Sequence, residues 1–357
     1  MSEIAHSVPQ EGADHLASAT VSNDADKPFL RTFLFALLGA ASFIAAVNFV
    51  IDPTDVFHVG LLPPVTWVDR DEKSVFFMQQ EAKPQLLIIG SSRMMKMNPA
   101  CASSLTGLRT FNFAVNDARA EDYLAILRFV SDHGGAPRRI LIGVDPEGLS
   151  HEPIDWRLAN SKYLSRYLAN RPSRFTHLGE NLLSRGQLSA SIASVRHVLT
   201  HQASTIRVAP DGFLTYLDLE PSKARGDYDL PKQLRVSVTG YAATFEHFDA
   251  LSPSRVKMLR EFFVECRRRA IVVDAVIPPL HPDLLAAMAR SPLPQRIDDT
   301  ERLLRQLERE GLIHYSDVTT LSGFGGDPSR FFDGIHMEEW NSSRVLEHVY
   351  GGRCAVQ

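Results

Sequence analysis

Three residues of this chain are of types that together can carry out nucleophilic catalysis. Asp333 and His336 stand three positions apart near the C-terminus, and Ser92 lies far upstream. A serine hydroxyl becomes a good nucleophile when an imidazole takes its proton, and a carboxylate then fixes the imidazole tautomer and stabilises its charged form. The spacing of Asp333 and His336 lets the carboxylate reach the ring nitrogen that faces away from the serine. We therefore predict Ser92 as nucleophile, His336 as base and Asp333 as the residue that orients His336.

The residues before Ser92 indicate how it is positioned. Leu86-Leu87-Ile88-Ile89 is typical of a buried strand in a parallel sheet, and open α/β sheets bind ligands at the carboxyl ends of such strands. Gly90 permits a sharp turn, after which backbone N–H groups at a helix N-terminus can face an oxyanion. Taken alone, Gly90-Ser91-Ser92 is better explained by an ordinary helix N-cap, and the Asp333 segment is explained equally by a solvated turn. Both segments together, in this order, favour a catalytic site.

These two blocks resemble those of the SGNH (GDSL-like) hydrolase superfamily, in which Gly-x-Ser follows the first strand and Asp-x-x-His lies close to the C-terminus. Within it the chain is most similar to membrane-anchored envelope proteins, including those that O-acetylate polysaccharides and the D-alanyl-transfer proteins of Gram-positive walls. The resemblance covers residues 65–350. It implies an α/β fold with a three-layer α/β/α, flavodoxin-like parallel sheet. It also implies serine acyl esterase or O-acyltransferase activity on a carbohydrate or cell-envelope polymer, with a membrane protein as a candidate acyl donor.

Two further blocks depart from the family pattern. Asn116 stands where the family usually offers a glycine N–H to the oxyanion, and its own amide can still donate. Asp145 stands where the family usually carries an asparagine donor. An ionised carboxylate there would repel the oxyanion, and loss of one such donor costs about 3–4 kcal/mol of transition-state stabilisation. We therefore expect Asp145 to be protonated, to be held by another partner, or to mark a domain without ordinary esterase chemistry.

Two more side chains are candidates for substrate binding. Arg93, directly after the nucleophile, can pair with an anionic substrate or with Asp145, or it can lie solvated in a first helical turn. His281 follows the β-branched run at 270–277 and should open on the same rim as Ser92, because parallel strands of one sheet share an orientation. It is a candidate substrate contact, and the alternative is a turn residue between prolines.

Composition excludes several functional classes. The 357 residues, 44% of them hydrophobic, can bury one large core with room for a smaller subdomain. A net charge of −4 and a pI near 6.4 argue against a nucleic-acid partner. Cys101, Cys266 and Cys354 are far apart and predict neither a disulfide framework nor a metal site, and the 13 histidines are scattered. We predict no cofactor and no metal ion.

The N-terminal part of the chain predicts attachment to a membrane. Residues 1–28 are polar and small and predict a disordered tail. Residues 29–51 predict a transmembrane helix, because the stretch from Thr32 to Ile51 has no charge and matches the thickness of a bilayer core. Lys27 and Arg31 flank the N-terminal side, and no further Lys or Arg occurs after the apolar stretch until Arg70. The positive-inside rule then places the tail in the cytoplasm and the remaining chain in the periplasm or outside the cell, on a single-pass inner-membrane anchor. A cleaved signal peptide is the alternative, but its apolar region is usually only about 7–15 residues long.

The rest of the chain alternates between strand and helix patterns, which is typical of a βαβ sheet. We predict a linker and entry helix at 52–84, with the charged run 69–73 as a solvated helix start, and an SGNH-like domain at 85–357 with a mostly helical insertion at 158–250. The predicted strands are 85–89, 110–115, 138–144, 270–277 and 314–317, and the predicted helices are 119–133, 254–269, 296–310 and 338–350.

Three functions fit these patterns. The first is a membrane-anchored serine acyl esterase or acyltransferase of the cell envelope that uses Ser92, His336 and Asp333. The second is a catalytically silent SGNH-like domain that binds glycan or scaffolds an envelope assembly, as the departures at Asn116 and Asp145 suggest. The third is a flavodoxin-like binder of nucleotide or phosphate, although the chain lacks both the Gly-x-Gly-x-x-Gly fingerprint and the P-loop lysine.

Overall fold

The computed structural model describes residues 26–53, 57, 59, 62, 69–168, 182–183, 185–199 and 205–354. Most of the predicted disordered tail, much of the predicted linker and part of the predicted insertion lie outside these ranges. The helices, numbered along the chain, are α1 (Asp26–Ile51), α2 (Asp69–Gln79), α3 (Pro99–Thr106), α4 (Ala120–Asp132), α5 (Trp156–Ala159), α6 (Arg185–Leu199), α7 (Leu219–Arg225), α8 (Leu230–Phe245), α9 (Pro253–Arg268), α10 (Pro282–Ala287), α11 (Leu293–Arg309), α12 (Leu321–Phe324) and α13 (Glu339–Tyr350).

The strands form one parallel sheet and one hairpin. They are β1 (Leu86–Ile89), β2 (Thr110–Asn112), β3 (Arg139–Gly143), β4 (Ile206–Val208), β5 (Leu214–Tyr216), β6 (Val272–Val276) and β7 (His314–Tyr315). The parallel sheet has the order β2-β1-β3-β6-β7. This is a doubly wound α/β order, in which the chain leaves the neighbouring strands β1 and β3 in opposite directions and opens a crevice at their carboxyl ends. Ile89 pairs with Ile142, so the loops after β1 and β3 begin side by side.

Helices cover both faces of the sheet. Along β1, Leu87 and Ile89 pack in a core with α4 and α9, whereas Leu86 and Ile88 pack in a second core with α3 and α13. The alternation follows from the two-residue period of a strand, and the whole of β1 is apolar because both faces are covered. Each fully buried leucine or isoleucine contributes about 1.5–3 kcal/mol. The molecule is therefore an α/β protein whose sheet lies between two helical layers.

Local signals in the sequence set the ends of the helices. Before α3, the side chain of Asn98 accepts hydrogen bonds from the N–H groups of Ala100 and Cys101, and Pro99 occupies the first turn. Proline fits there because its missing N–H would have no partner within the helix. Gly107 ends α3 in the left-handed conformation, at φ 69°. This short helix therefore starts directly after the loop that carries Ser92.

The N-terminal helix α1 is long and apolar enough to cross a membrane. Its span at 27–51 has a mean hydropathy of 2.3 in its most apolar window, and only 6% of that window is buried in the protein. This composition fits either a membrane anchor or a signal sequence. The cytoplasmic position of the tail stays a prediction.

The charged run at the start of α2 is buried, so the prediction of a solvated helix start is wrong. Arg70 and Lys73 are fully buried. Arg70 Nε donates to Asp122 Oδ1 over 2.8 Å, and Lys73 Nζ donates to the Ala114 carbonyl over 2.7 Å. Burial lowers the pKa of Lys73 to about 7. These charges attach α2 to the chain after β2 instead of facing water.

A disulfide joins Cys101 of α3 to Cys354 beyond α13, which corrects the prediction that the cysteines form none. The Cα atoms lie 5.0 Å apart, within the range that a disulfide spans. The two residues are 253 positions apart, a separation from which no sequence pattern predicts pairing. Cys266 is a free, buried thiol.

Loss of this disulfide is expected to destabilise the fold. Cys354→Ser should lower the free energy of unfolding by about 2–4 kcal/mol, because the link restricts the unfolded chain. Chemical denaturation of the detergent-solubilised protein measures the change. The Cys101→Ser/Cys354→Ser double variant should lose no more than the single variant, since both lack the same bond. A double variant that is clearly less stable than either single variant would contradict the pairing.

Candidate active site

The structure brings Ser92, His336 and Asp333 into one hydrogen-bonded chain. Ser92 Oγ lies 2.9 Å from His336 Nε2, and His336 Nδ1 lies 2.7 Å from Asp333 Oδ2. An ionised carboxylate only accepts hydrogen bonds, so Nδ1 carries the proton and Nε2 is free to accept the serine proton. The predicted contact between residues 244 positions apart is therefore confirmed.

A glycine-dependent turn positions Ser92 at the carboxyl end of β1. Gly90 has φ 147°, and a Cβ atom there would lie 2.5 Å from Met94 Cγ. The chain then forms a single 3₁₀ turn, Ser92–Met94, whose N-cap Ser91 accepts a hydrogen bond from the Arg93 N–H. Among the described residues, the Ser92 N–H has no backbone partner. The predicted strand, sharp turn and N-cap all occur here, and the helix is shorter than a full α-helical turn.

The Asp333 carboxylate holds its own loop as well as His336. Its Oδ1 accepts hydrogen bonds from the N–H groups of Ile335 and His336, each over 2.7 Å. Burial raises the pKa of Asp333, but the adjacent His336 and these N–H donors outweigh that effect and leave the pKa below its ordinary value. Asp333 is therefore ionised at neutral pH, as an orienting carboxylate must be.

The predicted insertion supports this loop from the other side. Ser237 Oγ of α8 accepts a hydrogen bond from the Gly334 N–H over 3.0 Å. The Tyr228 hydroxyl donates to the Phe332 carbonyl, and Lys223 Nζ donates to the Ser329 carbonyl over 2.9 Å. The sequence does not identify these residues, because nothing in their local pattern points to a loop about 100 positions away. The insertion is therefore part of the framework that positions His336.

Arg93 is buried and pairs with Asp145, so it is not a solvated first-turn residue. Its Nη1 lies 2.6 Å from Asp145 Oδ1, and its Nη2 donates to the Pro278 carbonyl. The contact between Arg93 Nη1 and Asp145 Oδ1 is an ion pair, and the two atoms are not aligned for a hydrogen bond. Of the three expectations for Asp145, the structure shows a carboxylate held by another partner. The guanidinium is directed to Asp145 instead of an anionic substrate.

Two residues that sequence analysis missed extend this buried network. Glu147 Oε1 lies 3.8 Å from Arg93 Nη1 and accepts a hydrogen bond from the Tyr241 hydroxyl of α8. Burial raises the pKa of Glu147, although Arg93 opposes the shift. One arginine therefore faces two carboxylates, and the network connects the residue after Ser92 to the insertion.

Asn116 does not offer its backbone N–H to the site. This N–H donates to the buried carboxylate of Asp69, and the Asn116 carbonyl accepts a hydrogen bond from Arg70 over 3.0 Å. The prediction that Asn116 replaces the family's glycine donor is therefore wrong for its backbone N–H. Asp69 and Arg70 of α2 bind the backbone of Asn116 instead.

His281 supports the catalytic loop and is buried, which corrects its prediction as a substrate contact. Its Nδ1 accepts a hydrogen bond from the Asp283 N–H as the N-cap of α10, and its Nε2 donates to the Pro328 carbonyl, each over 3.1 Å. Its backbone N–H donates to the Gly334 carbonyl over 2.9 Å. Burial lowers its pKa, which keeps the ring neutral as this arrangement requires. The alternative, a turn residue between prolines, was the better prediction.

A structural role for His281 has a distinct signature. His281→Ala should lower the free energy of unfolding by about 1–3 kcal/mol, because it removes a helix cap and leaves a buried carbonyl without its donor. The KM for p-nitrophenyl acetate should stay unchanged. Thermal melts and steady-state kinetics measure both, with the exposed His247→Ala as control. A raised KM with an unchanged melt would instead restore the substrate-contact role.

No group of three or more His, Cys, Asp or Glu side chains that could hold a metal ion occurs in the part of the chain that the structure describes. No protein-family model matches the chain, and no curated protein matches it. A function for this chain must therefore be inferred from the geometry of the site itself.

Proposed function

We propose that this protein is a membrane-anchored serine acyl esterase or O-acyltransferase of the cell envelope, built on an SGNH-type hydrolase domain. The observation that carries the proposal is the chain from Ser92 Oγ through His336 to Asp333, with contacts of 2.9 and 2.7 Å. These distances are those of a nucleophile, its base and the carboxylate that orients the base. The Gly-x-Ser block after β1 and the Asp-x-x-His block near the C-terminus support the SGNH assignment.

The residues can perform acyl transfer in two steps. His336 Nε2 takes the Ser92 proton while Oγ attacks the acyl carbonyl carbon, and collapse of the tetrahedral adduct breaks the ester C–O bond. The leaving alcohol takes the proton from Nε2, and the acyl group stays on Ser92. Water or a sugar hydroxyl then gives its proton to Nε2 and attacks the acyl carbon. Collapse of this second adduct breaks the bond between the acyl carbon and Oγ, and Oγ takes the proton back from Nε2, which regenerates the serine. Hydrolysis and transfer use the same residues and differ in the second acceptor.

The Ser92 backbone N–H is the candidate donor to the oxyanion. It stands at the start of the 3₁₀ turn, and its neighbour Arg93 already donates its N–H to Ser91. The pairing of Asp145 with Arg93 reduces the repulsion that the carboxylate would exert on the developing charge.

Three features support an envelope location and a saccharide substrate. The apolar α1 fits an anchor, and a disulfide is typical of compartments outside the cytoplasm. Trp340 is 39% exposed on a groove of about 330 Å³ that Phe332, the neighbour of Asp333, also lines. An exposed indole beside a catalytic loop offers a flat apolar surface to a sugar ring.

Covalent labelling tests the proposed nucleophile. A fluorophosphonate probe should label the detergent-solubilised protein, and peptide mapping should place the adduct on Ser92. Ser92→Ala should lose the label, whereas Ser104→Ala, the matched control at an exposed serine of α3, should keep it. A wild-type protein that melts cooperatively but takes no label would contradict the proposal.

The second candidate function is a catalytically silent SGNH-like domain that binds glycan. The observation that favours it is the loss of two usual oxyanion donors, since the Asn116 N–H is held by Asp69 and Asp145 is a carboxylate paired with Arg93. This candidate predicts glycan binding that survives Ser92→Ala and no turnover of p-nitrophenyl acetate. The phosphate-binding alternative is disfavoured, because the turn after Gly90 is only three residues long and the Arg93 N–H is already used.

A further inference from the structure

Helix α6 of the insertion packs along α1 with its polar face inward. Gln187, Ser191 and Ser194 are buried, and Ser191 Oγ donates to Asn48 Oδ1 of α1 over 2.9 Å. Asn48 Nδ2 in turn donates to the Leu182 carbonyl over 2.9 Å, just before α6. Asn48 is the buried polar residue in the C-terminal half of α1, and the insertion satisfies both ends of its amide.

A second side of α6 is apolar and exposed, and it is bordered by the exposed Arg196, which lies farthest from the buried side. Ile192 is 61% exposed and Leu199 is 73% exposed, and each lies one helical turn from the partly buried Val195. A surface helix of a water-soluble protein has the reverse arrangement, with apolar residues inward and polar residues outward. Helices that associate within a bilayer instead place small and polar residues between them and apolar residues toward the lipid. The buried side with Ser191 and the exposed side with Ile192 and Leu199 follow the second arrangement, with Arg196 at the border of the apolar side.

The position of α6 along α1 agrees with a lipid environment. The partly buried α1 residues all lie in its C-terminal half, among them Ala41, Ile44 and Ala45, whereas Phe43 beside them is 70% exposed. The two helices therefore expose apolar side chains next to one another. With 15 residues, α6 is about 22 Å long, which is shorter than the bilayer core of about 30 Å.

We propose that α6 is a second membrane-embedded helix, which lies against the C-terminal half of α1 in one leaflet and places Ile192 and Leu199 among lipid acyl chains. The lipid bilayer is the occupant of this face because the same face continues onto α1, the candidate span. A second point of attachment would keep the catalytic domain from rotating freely about α1. It would also connect the membrane to the insertion, which holds the loop of His336 through Ser237.

Fluorescence quenching in proteoliposomes tests this placement. In a Cys266→Ser background of the full chain, single cysteines at Ile192, Phe43 and Val236 carry an NBD label in phosphatidylcholine–phosphatidylglycerol vesicles. Phe43 reports on α1, and Val236 is the matched control because it is 61% exposed, as Ile192 is, but lies on α8, whose Ser237 holds the loop of His336. A nitroxide on the lipid acyl chain should quench the labels at Ile192 and Phe43. Iodide on both sides of the membrane should quench the label at Val236 at least fivefold more strongly than the labels at Ile192 and Phe43.

Each outcome decides the proposal. If the Ile192 label responds to iodide as the Val236 label does, while the Phe43 label is quenched by lipid, α6 lies in water and the proposal is overturned although α1 is an anchor. If the Phe43 label is also quenched by iodide, both the anchor and the placement of α6 fail. Should Ile192→Cys lack a cooperative melt, Leu199→Cys takes its place with the same expected readings. None of these outcomes depends on whether Ser92 is catalytic.

Discussion

Asp333→Asn is expected to lower kcat for p-nitrophenyl acetate by about 10⁴-fold. An asparagine side chain can donate its NH₂ group to His336 Nδ1, which favours the tautomer whose Nε2 carries the proton and cannot accept one from Ser92. It also removes the negative charge that stabilises the imidazolium in the transition state. The amide oxygen can still accept the N–H groups that Asp333 Oδ1 now holds, so the loop should keep its conformation. Steady-state kinetics together with a thermal melt measure both effects.

A double variant shows whether Asp333 acts through Ser92. Ser92→Ala alone should cost about 10⁶-fold in kcat, and Ser92→Ala/Asp333→Asn should cost no more, because residues that act as one unit are not additive. If the two losses multiply, Asp333 contributes in another way. A loss confined to KM would show that Asp333 binds substrate without orienting His336.

The parts of the fold that sequence predicted are those that local pattern determines. Leu86–Ile89 is uniformly apolar because β1 is covered on both faces, and Gly90 ends it because a sharp turn there excludes a Cβ atom. The predicted strand at 110–115 exceeds β2, which ends at Asn112, yet the N–H groups of Phe113 and Val115 still donate to the carbonyls of Ile88 and Gly90. The catalytic side chains were predictable for the same reason, because strand ends and turns are local features.

The features that sequence analysis missed depend on partners far away in the chain. From the sequence, the charges of Arg70 and Lys73 indicate a solvated surface. Their burial can be explained only when Asp122 and the Ala114 carbonyl are seen to lie beside them. The same holds for His281, whose ring bonds a carbonyl 47 positions away. Local composition gives the type of each residue, but it does not identify the partner that makes burial of a charge or an imidazole tolerable.

Arg93→Met is expected to lower the free energy of unfolding by about 3–5 kcal/mol, because it leaves carboxylates buried without their cation. Arg93 lies 2.6 Å from Asp145 Oδ1 and 3.8 Å from Glu147 Oε1, and it also donates to the Pro278 carbonyl. Methionine fills much of the same volume but supplies neither charge nor donors. Chemical denaturation at several pH values measures the loss.

The loss should depend on pH with a definite sign. Burial already raises the pKa of Glu147 while Arg93 opposes the shift, so removal of Arg93 raises that pKa further. A carboxyl whose folded-state pKa lies above its unfolded value destabilises the fold once pH exceeds the unfolded value, and more so as pH rises toward the folded one. The deficit of Arg93→Met should therefore be larger at pH 8 than at pH 5.

Neutral replacements of the carboxylates separate charge from packing. In the Arg93→Met background, Asp145→Asn and Glu147→Gln should together restore at least half of the lost free energy and remove its pH dependence, because no buried charge is then left without a partner. If the triple variant is as unstable as Arg93→Met at every pH, the arginine acts through packing and the Pro278 carbonyl instead of its charge. That result would show that the charge of Arg93 does not stabilise the buried Asp145 carboxylate beside the turn of Ser92.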